Sequence, residues 1–172
     1  IIPKGGVAVA AGRLHSLAVT EEGAVWAWGS NEDCLLGTGA AQKQMRPAQV
    51  IASGAVAVAA GWRHSLALTE TGEVLAWGGN DYGQLGDGSK THRRQPVKVP
   101  LPGPAKSIAA GWYHSVVLLE SGEVFAWGFS APDASSFRSA LTPTAVFRGG
   151  IRDVAAGGMH SLALTDAGAL AA

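Results

Sequence analysis

Four histidines, His15, His64, His114 and His160, are each followed by a serine in Ala-Ala-Gly-x-x-His-Ser, the pairing from which a nucleophile and its base can be built. Acyl-transfer chemistry needs more than the pair. An orienting acid and oxyanion donors must converge on it, and no Gly-x-Ser-x-Gly elbow, P-loop or His-Glu-x-x-His accompanies these sites. Metal ligation is the other chemistry open to four histidines, but no Asp, Cys or further His stands at ligand spacing beside any of them. Gly37-Thr-Gly39 and Gly83-Gln-Leu-Gly86-Asp-Gly88 lack the following helix that a phosphate cradle requires, and Asp81 and Asp87 do not follow the order of a calcium loop. The histidines therefore read as turn residues hydrogen-bonded to backbone near the following serine. No catalytic residue, metal ligand or cofactor site is expected.

Binding chemistry is better represented. Trp62-Arg63 and Trp112-Tyr113 fill the two variable positions of Gly-x-x-His, and exposed Trp, Tyr and Arg are the residue types that anchor protein interfaces. Trp28, Trp77 and Trp127 recur instead in Ala-Trp-Gly and read as packing residues. Lys90, His92, Arg93 and Arg94, with Lys98 close behind, form the single basic run; it is either a solvated loop or a contact for an acidic partner or phosphate. The whole chain carries 13 basic and 13 acidic residues, and the run has no aromatic residue interleaved, so direct nucleic-acid binding is not expected.

The elements that position these residues follow from self-similarity. The four histidines lie 49, 50 and 46 residues apart. Gly-x-Val-x-Ala-Trp-Gly follows at Gly23–Gly29, Gly72–Gly78 and Gly122–Gly128, and Pro-x-x-Val recurs at Pro47, Pro96 and Pro143. Each unit holds four short segments of strand character, such as Pro47–Ile51, Val56–Ala60, Ser65–Leu68 and Glu73–Trp77, joined by turn residues. No window keeps a 3.6-residue apolar period over helical length. Four short strands in each unit of about 50 residues predict an all-β propeller of four-stranded blades. A sandwich or plain barrel would not explain why whole four-strand units recur with their turns intact. Hydrophobic residues make up 47% of the 172, enough for a sizeable core. No apolar run of about 18 residues occurs, so no membrane-spanning helix is expected. Cys34 is the sole cysteine, which excludes an internal disulfide framework and favours an intracellular setting.

Ala60–Thr69, Gly72–Gly78 and Asn80–Gly88 stand in series, reading Ala-Gly-x-x-His-Ser-Leu-Ala-Leu-Thr, Gly-x-Val-x-Ala-Trp-Gly and Asn-x-x-Gly-Gln-Leu-Gly-x-Gly. Together they resemble the regulator of chromosome condensation repeat, and the resemblance extends over essentially the whole chain. It implies a seven-bladed propeller in complete members. It also implies a protein partner, with nucleotide exchange on a small Ran-like GTPase as one alternative activity. Gly61-Trp-Arg-His-Ser65 and Gly111-Trp-Tyr-His-Ser115 further resemble the Gly-Trp-Arg-His-Thr of the plant ultraviolet-B photoreceptor, a second alternative that only Trp62 with Arg63 matches fully. Family members act in nucleus, cytoplasm, cilium and bacterial exteriors, so the resemblance gives no single address.

Two units depart from the pattern. Asn31-Glu-Asp-Cys34-Leu-Leu-Gly-Thr-Gly39 lacks the first Gly and the Gln, and the third unit carries Ser130-Ala-Pro-Asp-Ala-Ser-Ser in place of the block. The latter is expected to be a divergent loop; Cys34–Gln44, Lys90–Arg94 and Ser130–Ser139 are the variable segments available to recognition. The units run roughly 1–46, 47–95, 96–142 and a truncated 143–172. About 3.4 blades cannot close a seven-bladed ring, so the chain is expected to be part of a longer propeller, or to be completed by another chain. Trp62, Arg63, Trp112, Tyr113, Lys90, Arg93 and Arg94 are the expected partner-binding residues of a non-enzymatic interaction module.

Overall fold

Alternating small and branched apolar residues, broken by short turns, pair as adjacent antiparallel strands because the turns leave no length for a crossover. The computed structural model describes residues 5–133 and 136–172. The first sheet contains β1 (Gly6–Ala11), β2 (His15–Thr20), β3 (Val25–Gly29) and β4 (Gln44–Ile51), in that order. The second contains β5 (Ala55–Ala60), β6 (His64–Thr69), β7 (Val74–Gly78) and β8 (Arg93–Lys98). The third contains β9 (Ala105–Ala110), β10 (His114–Leu119), β11 (Glu123–Asp133) and β12 (Ser136–Arg148). In the fourth, β13 (Ile151–Ala156), β14 (Ser161–Thr165) and the two-residue β15 (Leu170–Ala171) make three strands. The sheets are the blades of a partial β-propeller, and its first strands, β1, β5, β9 and β13, are neighbours in sequence order.

The core lies between blades rather than within one. Leu17, Val19, Leu36, Ala67 and Trp77 form one cluster between the first and second blades. Leu66, Leu68, Leu85, Val117 and Trp127 form the next. Val116, Leu118, Ile151, Val154 and Ala163 form the third. Along β6, Ala67 faces one neighbour while Leu66 and Leu68 face the other. Burial on both faces is why Ser-Leu-Ala-Leu has no polar alternation.

Two sequence expectations change. Pro47–Ile51 does not open a blade with Val56–Ala60; it lies in β4 and pairs with β3, Val25 opposite Ile51 and Ala27 opposite Ala48. The repeat period is right but its phase is shifted, because a periodic sequence has no intrinsic starting strand. The segment from Ser130 is not a divergent loop either. β11 and β12 continue past Gly128 as a hairpin, pairing Phe129 with Ser139, Ser130 with Arg138 and Asp133 with Ser136. Residues 134 and 135, and the side chains of 130–138, lie outside what is described.

That difference has a local cause. In the first two blades an asparagine two residues after the Ala-Trp-Gly glycine organises the connection to the last strand. Asn31 Nδ2 donates to the carbonyls of Ala40 (2.7 Å) and Gln42 (3.2 Å), while Leu36 N–H donates to its Oδ1. Asn80 does the same with Ser89 and Thr91, and receives Leu85 N–H at 3.0 Å. Ser130 occupies this position in the third blade. With no amide side chain there to gather carbonyls, backbone pairing takes over.

Candidate protein-binding face

Each Gly-x-x-His turn closes with the glycine N–H donating to the histidine carbonyl, at 2.9 Å in all four blades. The imidazole then folds under its own glycine. A Cβ on Gly61 would lie 2.4 Å from His64 Cε1 and 2.5 Å from the Gly111 carbonyl oxygen of the next blade, so no side chain fits. Three of the histidines bond not to nearby backbone, as expected from sequence, but to the serine of the following blade. His15 Nε2 reaches Ser65 Oγ, His64 reaches Ser115 and His114 reaches Ser161, each at 2.9 Å.

Polarity separates this arrangement from a nucleophile and base. Ser65 Oγ–H donates to the Leu35 carbonyl at 3.0 Å and Ser115 Oγ–H to the Gln84 carbonyl at 2.8 Å. The serine oxygen is therefore left to accept from Nε2–H, and the hydrogen-bond network assigns that tautomer. Burial pushes the His15 imidazole down to about 4. Burial, with His114 and His15 nearby, pushes His64 to about 3. His114 is lowered by burial and by His160. These rings are neutral donors stitching blade to blade. Among the described residues, no three His, Cys, Asp or Glu side chains gather as a metal site would require.

Because glycine and histidine are fixed inside, the two residues between them are displayed. The first positions are Arg13, Trp62, Trp112 and Gly158; they line a concave site of about 430 Å³ beside the glycines, with no acidic side chain in its lining among the described residues. Arg13 Cζ stands 4.5 Å above the Trp62 ring. Trp62 meets Trp112 edge to face, with centroids 4.5 Å apart and planes at 70°. Trp112 is 42% exposed, and its ring covers Gly158, where a Cβ would come within 2.7 Å. The second positions are Leu14, Arg63, Tyr113 and Met159. Tyr113 extends the aromatic set, 6.2 Å from Trp62 and 5.0 Å from Tyr82, which in turn meets Phe129 at 5.3 Å.

The sequence-derived residues thus divide. Trp62, Arg63, Trp112 and Tyr113 come together on one face. Arg63 pairs with Asp33 at 2.9 Å; His92 lies 3.7 Å from Asp33 and 3.1 Å from Asp81, linking the face to the basic run. Arg93 turns the other way, its Nε 2.7 Å from Asp87 Oδ2. Burial alone would raise the Asp87 carboxyl, but hydrogen bonds from Ser89 and Arg93 outweigh it and hold it below its usual value. Lys90 and Arg94 are exposed beside it. Arg13 and Tyr82 were not singled out from sequence. Arg13 occupies the aligned position of Trp62 and Trp112 and was legible there; Tyr82 lies in a connection that only the fold brings to Tyr113. Of the Trp–Arg pairs that a photoreceptor cluster would need, the described residues hold Arg13 over Trp62, whereas Tyr113 follows Trp112.

Trp77 and Trp127 are packing residues, as expected. Each is buried, and their indole N–H groups donate to the Leu35 and Gln84 carbonyls of the preceding blade at 2.9 and 2.8 Å. Trp28 is half-buried.

No curated protein matches the chain. Solved structures do. The yeast protein Prp20, in its complex with Kap60, is 27% identical over 99% of this chain and 44% of its own, with a TM-score of 0.85. Prp20p of Saccharomyces cerevisiae, studied for its binding to Gsp1p and histones, is 27% identical over 99% of this chain and 45% of its own, with a TM-score of 0.86. Human WBSCR16 is 25% identical over 98% and 48%, with a TM-score of 0.85. The chain spans less than half the length of these relatives. The family model for the regulator of chromosome condensation (RCC1) repeat matches residues 22–68 and 71–118, and a second model of the same repeat matches 7–33 and 55–84. On these matches, and with the Gly-x-x-His turns, inter-blade tryptophans and four-stranded blades that carry them, the chain belongs to the RCC1 repeat family.

Proposed function

We propose that the chain is a non-enzymatic protein-binding module whose contact surface is the aromatic face around Trp62 and Trp112. One observation carries this reading: the variable pairs of successive Gly-x-x-His turns are presented side by side, so three repeats build one surface of Arg13, Trp62, Arg63, Trp112 and Tyr113. Large rigid rings beside guanidinium groups supply contact area at little entropic cost and dominate interface energetics. The binding of Prp20p to Gsp1p and histones supports a protein as the partner class. Those two proteins are the first probes to immobilise against the purified chain. The Trp62→Ala/Trp112→Ala variant should lose about 30-fold or more in affinity for a bound partner, with an unchanged melting temperature. Unaltered binding by the folded double variant removes the face from the site.

A second reading, nucleotide exchange on a Ran-like GTPase, rests on the similarity to Prp20p. Release of a fluorescent GDP analogue from Gsp1p tests it, and a rate unchanged by saturating protein rejects it.

A further inference from the structure

The connection between β3 and β4 holds a backbone conformation that its residues resist. Asn31-Glu32-Asp33-Cys34 aligns with Asn80-Asp81-Tyr82-Gly83 of the next blade. Gly83 has a φ of 78°; Cys34 stands in its place at 66°, directly after Asp33 at 57°. Aspartate tolerates this left-handed region, whereas the cysteine Cβ crowds the following carbonyl. The bonds of the turn itself are long. Cys34 N–H reaches the Asn31 carbonyl at 3.2 Å and Leu35 N–H that of Glu32 at 3.4 Å, against 3.0 Å from Gly83 to Asn80.

What pins the segment comes from the second blade, through the Asp33 carboxylate. Arg63 Nη1 lies 2.9 Å from its Oδ2, and His92 Nδ1 lies 3.7 Å from its Oδ1. The other ring nitrogen of His92, Nε2, lies 3.1 Å from Asp81 Oδ1. The imidazole thus stands between two carboxylates, one from each blade. A neutral ring has one N–H and turns a lone pair to one of the two, whereas the cation presents an N–H to both. Among the described residues, the other charges near it are Arg63, behind Asp33, and its chain neighbours Lys90, Arg93 and Arg94. Arg93 is paired with Asp87, and Gly39 and Gln95, which share the same hollow, are uncharged.

We infer that His92 is a pH-operated clamp between the first two blades: as a cation it bridges Asp33 and Asp81 and holds the Glu32–Cys34 turn closed, and as a neutral ring it lets the turn open. Imidazole is the side chain whose charge changes between pH 5 and 8. Arg63 shares Asp33 with the clamp, so one end of the aromatic face is ordered by the same device. The clamp is read on the turn itself, so it stands or falls apart from the partner-binding role proposed above.

Cys34, the sole cysteine and half-buried in this turn, is the reporter. Its rate of reaction with 4,4′-dithiodipyridine is compared between the parent and the His92→Gln variant at each pH, which cancels the change in thiolate fraction. At pH 5.5 the parent should react about threefold more slowly than the variant, and at pH 8 the two should react alike. In an Asp33→Asn background, His92→Gln should change the rate at neither pH. The nitrogen-15 shifts of the His92 ring, which need no substitution, should titrate together with the amide shifts of Asp33 and Cys34. A rate ratio equal at both pH values overturns the inference, as does a pH-dependent ratio that survives Asp33→Asn. Turn amides that stay still while the ring titrates overturn it too.

Discussion

Glycine in Ala-Ala-Gly-x-x-His-Ser is required by crowding rather than by backbone conformation. Gly61 has no positive φ, but the imidazole of His64 and the carbonyl of Gly111 occupy the space a methyl would need, whereas a Cβ on Gly54 would meet nothing closer than 3.9 Å. Gly61→Ala should therefore cost about 2–3 kcal/mol in urea unfolding, from overpacking against backbone that cannot move aside. The histidine beneath it makes stability depend on pH. His15 and His64 titrate in the folded chain at about 4 and 3, against about 6.5 when unfolded, so the unfolded chain binds protons first on acidification. Their stabilisation is complete above pH 6.5 and declines as pH falls through the window from 6.5 towards 4 and then 3. The melting temperature should drop steadily between pH 7 and 4.5. His64→Gln, which keeps a donor for Ser115 but cannot titrate, should melt lower at pH 7 and show a shallower pH slope. An equal slope would remove His64 as a source.

At the scale of elements, the connections between third and fourth strands are the parts that vary and the parts that lock. Leu85 is fully buried between two blades, with its loop tied by Asn80 and its neighbouring carbonyl shared by Ser115 and Trp127. Leu85→Ala should cost about 3–4 kcal/mol, within the range for a leucine deleted from a core that cannot collapse around the loss. Val56→Ala, at a site 48% exposed, should change stability by well under 1 kcal/mol in the same urea titration. Much of this was legible beforehand. The turn glycines, the packing role of Trp77 and Trp127, and the departure of the third unit all follow from aligned residues. Three things were not. The partner of each histidine lies one repeat away, and a period shows that units recur without showing which side chains cross between them. The phase of β4 was hidden for the same reason. The hairpin from Ser130 depends on the absence of an asparagine whose role becomes visible only once Asn31 and Asn80 are seen gathering carbonyls.

At the scale of the whole molecule, stability is a series of blade-to-blade junctions, because each blade contacts its neighbours and has little core of its own. The junctions are unequal. The first two each hold a fully buried leucine from the loop before the last strand, an indole donating across the gap and a serine with both its bonds made. Among the described residues, the third holds the histidine–serine bond and a smaller apolar cluster. A nearest-neighbour chain with one weak junction opens there first, below the free energy of global unfolding. Native-state hydrogen exchange should accordingly show amides of β13 and β14 opening at lower free energy than those of β6 and β10, with lower sensitivity to denaturant. Leu85→Ala should bring the second junction down towards the third while barely moving the opening of β13. If β6, β10 and β13 instead exchanged through one common opening of equal free energy, the sheets would behave as a single cooperative unit, and the difference between the junctions would carry no local energetic consequence.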